Sequence, residues 1–205
     1  MTWQFTGSNA DIPGFLQVPV GRLQGLTLEG EDWFANFVPI QVSVGVTAIV
    51  TAGHSVEGIA TSKLVAIGNS NMVQSLDFDI APSKWIPGTA GLDIAATLIS
   101  SDVLEWPTLW SASNLSASIP ETTIAGAEIS VVSFPDTGRR PQFAVTTFSA
   151  PYWMEPDGTN ARSEFAIDVV SLEGLSGCGA FVEFNEKFAF IGIVNGTMID
   201  QGVSR

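Results

Sequence analysis

The chain has 205 residues, 45% of them hydrophobic and 14% charged, so it can bury a sizeable core without metals or disulfides, as one domain or two small lobes. Eight Lys plus Arg against 21 Asp plus Glu give a formal charge of -13, which repels phosphate backbones and anionic lipid heads and argues against nucleic acid or a membrane as partner. Cys178 is the single cysteine, which excludes an intramolecular disulfide and a thiolate metal cluster; no metal or cofactor is expected.

The opening residues, MTWQFTGSNAD, show neither a basic start nor an apolar run of signal-peptide length, and with no disulfide to form, a cytoplasmic location is the expectation. From there, apolar runs rich in Val, Ile and Phe recur between Gly, Pro, Asn and Asp. They are GFLQVPV, FVPIQVSVGV, VTAIVTA, KLVAIG and DIAATLIS, then AEISVVSF, QFAVTTFS, EFAIDVV, GAFVEF and FAFIGIV. Runs of this length predict short β-strands, and no segment keeps helical spacing over three turns, so an all-β fold is expected. None approaches the roughly 20 apolar residues of a membrane-spanning helix.

Closed antiparallel barrels would remove the exposed edges that so many strands create. The stretch SASNLSASIPETT, from Ser111 to Thr123, is poor in large apolar residues and divides the strand-rich regions almost in half. It predicts two β-barrels, an N-terminal one over residues 1–112 and a C-terminal one over residues 113–205.

Three short segments carry candidate chemistry. His54, the only histidine, directly follows VTAIVTAG, so a strand delivers an imidazole to a sheet edge, where it can act as a general base. Ser176 lies in Gly174-Leu175-Ser176-Gly177-Cys178-Gly179, where the glycines permit a tight turn that exposes the hydroxyl and aims the Gly174 and Ser176 amides at one point. Asp93 precedes the run IAATLIS and could accept the second imidazole N–H, fixing the tautomer. Each has a plain structural reading when taken alone: a surface histidine, a glycine-rich hairpin, a strand-end aspartate.

Together, in the order His, Asp, Ser, they resemble the trypsin-like serine peptidases. Thr51-Ala52-Gly53-His54 resembles the Thr-Ala-x-His signature of that family, Asp93-Ile94-Ala95 its Asp-Ile-Ala motif, and Gly174-x-Ser176-Gly177 its nucleophile loop. Phe190 to Gly196 is similar to the family's strand after the nucleophile, and Val132-Ser133-Phe134-Pro135 to a Gly-Tyr/Phe-Pro stretch, with Ser133 in place of the glycine.

The resemblance implies two antiparallel six-stranded Greek-key β-barrels of chymotrypsin type, with the active site in the cleft between them. His54 and Asp93 come from the N-terminal barrel, and Ser176 and the substrate pocket from the C-terminal one. It implies a serine endopeptidase in which Ser176 attacks the scissile carbonyl, His54 shuttles the proton and Asp93 orients the ring. The Gly174 and Ser176 amides would form the oxyanion hole. Val170, Ser171, Asn195, Gly196 and Thr197 become candidate pocket walls. A peptide or protein is then the substrate, and a regulatory protein is a further expected partner.

Besides Ser133, the pattern departs from the family at Leu175, Val170 and Cys178. Leu175 stands where zymogen-activated members carry an aspartate that captures a new N-terminus, so the nucleophile loop must be held by packing of Leu175 or by a partner. Val170 stands where members cleaving after Lys or Arg carry an aspartate, which favours an apolar or small side chain in the pocket. Cys178 replaces a second glycine and reads as a packing residue.

Other readings compete. Asp79, in Asp79-Ile80-Ala81, is a rival for the third position, although Pro82 and Pro87 follow it closely. A catalytically inactive trypsin-like barrel that binds a peptide or protein would accommodate Leu175 and Cys178. A Cys178 nucleophile and a ligand-binding β-sandwich fit less well, since Ser176 holds the Gly-x-Ser-Gly frame and the tryptophans form no periodic stripe. The acidic segment from Glu155 to Asn160 lacks the oxygen spacing of a calcium loop and reads as a turn. Asn114-Leu115-Ser116 and Asn195-Gly196-Thr197 match the glycosylation triplet.

Overall fold

A computed structural model describes residues 19–69, 72–88, 92–106, 110–111, 127–134, 142–150, 166–167, 175–184 and 187–195. Most of these residues are strand, and the only helical segments among them are two single 3-10 turns, Pro82–Lys84 and Ser101–Val103. The first sheet contains β1 (Val20–Thr27), β2 (Asp32–Ser43), β3 (Val46–Thr51), β4 (Ile59–Gly68), β5 (Val73–Ile80), β6 (Ile86–Pro87), β7 (Ala95–Ser100) and β8 (Trp110–Ser111). The second contains β9 (Glu128–Ser133), β10 (Gln142–Ala150), β11 (Ala166–Ile167), β12 (Gly179–Phe184) and β13 (Lys187–Ile193).

The first sheet runs β5-β4-β1-β2-β3-β7-β6, with β8 added to β2 in parallel; every other pairing is antiparallel. The second runs β11-β10-β9-β12-β13, antiparallel throughout. Neither sheet closes on itself by hydrogen bonds among the described residues. At the edge of the first sheet, β6 is two residues long, and Pro87 has no N–H to offer a further strand.

Alternation of side chains across β1–β4 and β7 sends Leu23, Phe37, Ile49, Leu64, Ile67 and Ile99 into one cluster, so the first sheet curls around its own core. Its other face docks on the second sheet. Val38, Ile40, Ala48 and Val50 pack there with Val132, Phe181 and Phe190, and the Phe181 and Phe190 rings lie 5.7 Å apart at 56°. A third cluster, Ile129, Val131, Cys178, Ala180 and Val182, lies within the second sheet.

Four strands add to those expected from apolar runs: β1, β5 and the two-residue β6 and β8. In β1, Gly21, Arg22 and Gly25 interrupt the apolar alternation, yet Arg22 is buried with its guanidinium 4.8 Å above the Phe34 ring. β5 is an edge strand whose Asp77 and Asp79 project to solvent. Of the expected strand GFLQVPV only the last two residues are described, and of EFAIDVV only Ala166 and Ile167. Residues 112–126, which hold most of the expected connection between lobes, and the acidic segment 155–160 lie outside the described residues, as does the Asn114 triplet.

Candidate active site

β3 and β7 are antiparallel neighbours whose register pairs Thr51 with Ala95. The end of one strand is therefore the start of the other, and His54, just past β3, meets Asp93, just before β7. Asp93 grips the histidine twice: Oδ1 accepts the His54 backbone N–H at 2.7 Å, and Oδ2 lies 2.6 Å from Nδ1. Gly53 leaves room for this approach, since a Cβ there would sit 2.8 Å from Asp93 Oδ1. Turns from Ser55 N–H to the Ala52 carbonyl and from Val56 N–H to the Gly53 carbonyl hold the histidine segment.

Ser176 reaches the same point from the second sheet. It sits in the turn that enters β12, with Gly177 at φ +80°, a conformation that favours glycine. Gly177 N–H donates to the Val194 carbonyl at 2.8 Å, and Cys178 N–H to the Leu175 carbonyl at 3.0 Å. Leu175 packs against the third cluster, so an apolar contact occupies the place where the resemblance would have put an ion pair.

The outcome is a chain of polar atoms, with His54 Nε2 2.8 Å from Ser176 Oγ. An ionised Asp93 can only accept, so the proton between it and the ring belongs on Nδ1, and Nε2 is left as acceptor for the serine hydroxyl. The arrangement can take a proton from Ser176 and store it on a ring flanked by a carboxylate. The site is open, with the His54 side chain 46% exposed and that of Asp93 32%.

Asp79, the rival aspartate, is elsewhere. It lies 3.9 Å from Lys63 Nζ on the exposed side of β5, where Asp77 hydrogen-bonds Lys63 at 2.6 Å and, with Asp79 adding to its field, raises the ammonium pKa. Cys178 is fully buried, and desolvation pushes its thiol well above the ordinary value, which removes it as a nucleophile. Among the described residues no cluster of three His, Cys, Asp or Glu could hold a metal ion.

Asn195 directly follows Val194, whose N–H donates to the Cys178 carbonyl at 2.8 Å. Gly174, Val170, Ser171, Gly196 and Thr197 lie outside the described residues. Asn36 was not singled out from sequence, and Thr51 only as part of the motif that ends in His54; the Asn36 backbone and the Thr51 hydroxyl bracket the serine turn from the first sheet. The available signal was a polar residue, Asn36, inside the otherwise apolar run FANFVPI.

The same architecture occurs in solved structures. The MamO protease domain of Magnetospirillum magneticum, in its apo form, superposes with a TM-score of 0.61 at 12% identity, over 93% of this chain and 89% of that one. Rv3671c of M. tuberculosis H37Rv, an inactive mutant form, gives 0.55 at 15% identity, over 97% and 85%. The HtrA-type protease AlgW with a decapeptide gives 0.56 at 13%, over 95% of this chain and 61% of that one, so this chain spans about three fifths of AlgW. No family model and no curated protein matches the chain. The fold is that of chymotrypsin/trypsin-like serine protease domains.

Proposed function

We propose that this protein is a serine endopeptidase that hydrolyses peptide bonds through His54, Asp93 and Ser176 and an acyl-enzyme intermediate. The observation that carries this reading is the unbroken contact from Asp93 Oδ2 through both ring nitrogens of the only histidine to Ser176 Oγ, at 2.6 and 2.8 Å. Two barrel lobes, residues 1–112 and 113–205, would flank the site. Ser176 Oγ adds to the substrate carbonyl carbon as His54 Nε2 takes the hydroxyl proton. The same proton then goes to the departing amine, and water repeats the cycle on the ester. The Gly174 and Ser176 amides would receive the oxyanion, and Val170, Ser171, Asn195, Gly196 and Thr197 would line a pocket for an apolar or small side chain. AlgW was solved with a decapeptide, which supports a peptide chain as the class of ligand.

The test is labelling by a fluorophosphonate, read by intact mass. One adduct is expected on the native protein, none on Ser176→Ala, and a rate at least about 10³-fold lower on His54→Ala. Absence of an adduct on folded native protein would overturn the reading in favour of a barrel that binds peptides without cleaving them.

A further inference from the structure

The serine turn belongs to the second sheet, but the first sheet holds it. The β2–β3 ladder runs up to the pair Val38 and Val50 and is not continued by Asn36. There the Asn36 N–H donates to the Ser176 carbonyl at 2.9 Å, and the Asn36 carbonyl accepts the Thr51 hydroxyl at 2.7 Å. The turn thus takes a place beside β2 where the next residues of β3 would have been. It comes so close that a Cβ on Gly177 would lie 2.0 Å from the Asn36 carbonyl oxygen.

The side chain makes a second link. Asn36 is fully buried, and its Oδ1 accepts the Phe134 N–H at 2.5 Å, at the end of β9. β9 pairs with β12, with Val132 opposite Gly179, so β9 flanks the strand that the serine turn enters. One residue of the first sheet therefore holds both the turn and the strand beside it.

We infer that Asn36 is a positioning residue for the nucleophile, fixing Ser176 against His54 across the junction of the two sheets. This rests on the peptidase reading, since it assigns Asn36 a part in presenting Ser176. The physical case is that His54 and Ser176 come from different sheets, and an apolar interface alone resists separation better than sliding. A misplacement of about 1 Å between reacting groups can cost about 10²-fold in rate. Directional bonds to a buried amide oppose such a slide.

The experiment compares Asn36→Ala with Asn36→Asp by fluorophosphonate labelling rate and by hydrogen exchange of residues 175–178. Aspartate keeps an oxygen that can accept the Phe134 N–H in either protonation state, whereas alanine keeps none. Positioning predicts that Asn36→Ala labels about 10²-fold more slowly than native and Asn36→Asp faster than Asn36→Ala. It also predicts that exchange at 175–178 rises at least about tenfold in Asn36→Ala while β1 and β4 stay protected. If Asn36 only fills space, the buried carboxylate is the worse substitution, and Asn36→Asp labelling no faster than Asn36→Ala overturns the inference, as does native-like labelling and exchange in Asn36→Ala. Should Asn36→Ala fail to fold, Thr51→Val removes only the hydroxyl bond to Asn36, and unchanged exchange at 175–178 in it would equally overturn the idea. A native protein that takes no adduct sinks the peptidase reading instead, and the exchange arm still reports whether Asn36 holds the turn.

Discussion

Asp93 serves two bonds to one residue, the amide and the ring of His54, and about a third of its side chain faces water. Replacing it with asparagine keeps the shape but lets an NH₂ donate to Nδ1, which moves the ring proton to Nε2 and leaves no ring lone pair to accept the Ser176 hydroxyl. Asp93→Asn should lower the fluorophosphonate rate by about 10⁴-fold with little change in thermal midpoint. Cys178 offers a different test. Its buried thiol resists ionisation, whereas an unfolded thiol ionises near about pH 8.5. The folded state thus holds the proton longer. The stabilisation this group provides is complete below about pH 8.5 and declines as the pH rises towards the elevated native value, by up to ~1.4 kcal/mol per pH unit. Urea unfolding between about pH 9 and pH 10.5 should show this slope in the native protein and its loss in Cys178→Ala, whose cavity adds only a constant offset.

At the scale of strands and turns, two glycines separate folding from function. Gly25 in β1 faces β4 so closely that a Cβ would meet the Thr61 carbonyl oxygen at 2.0 Å and Trp33 Nε1 at 2.7 Å. Gly25→Ala should cost about 1–3 kcal/mol by chemical denaturation while leaving the labelling rate of the folded protein near native, because the strain lies away from Ser176. Gly177→Ala combines positive φ with a clash against Asn36 and should lower that rate at least about 10²-fold. Measuring both variants by both assays checks the contrast. β1 itself illustrates the limit of reading strands from apolar runs. Its glycines and Arg22 look like loop residues until β2 and β4 pair on either side, supply the backbone partners and put Phe34 under the guanidinium.

Across the whole molecule, the site exists only where the two sheets meet. Phe181 is 1% exposed and packs with residues of both, so Phe181→Ala removes contacts that hold His54 and Ser176 in one frame. It should destabilise the protein by about 3–5 kcal/mol in denaturant unfolding, and labelling should be lost at the same denaturant concentration as strand structure. Loss of labelling well before unfolding would mean that the sheets part while each stays folded.

The β character and the place of each motif beside a strand could be read along the chain, because strand alternation and short turns are local properties, whereas His54, Asp93 and Ser176 stood out as candidates only through the resemblance of their motifs, taken together, to those of trypsin-like peptidases. Even the choice of Asp93 over Asp79 had a local sign in Pro82 and Pro87. What only the tertiary structure decided was which polar groups share a point. The register pairing Thr51 with Ala95 brought Asp93 to His54, and docking on the far face of β2 and β3 brought Ser176 to both. Asn36 belongs to the same category. A lone asparagine in an apolar strand has no local meaning, and its buried amide is satisfied by partners far along the chain, where register and packing rather than sequence distance choose the neighbour.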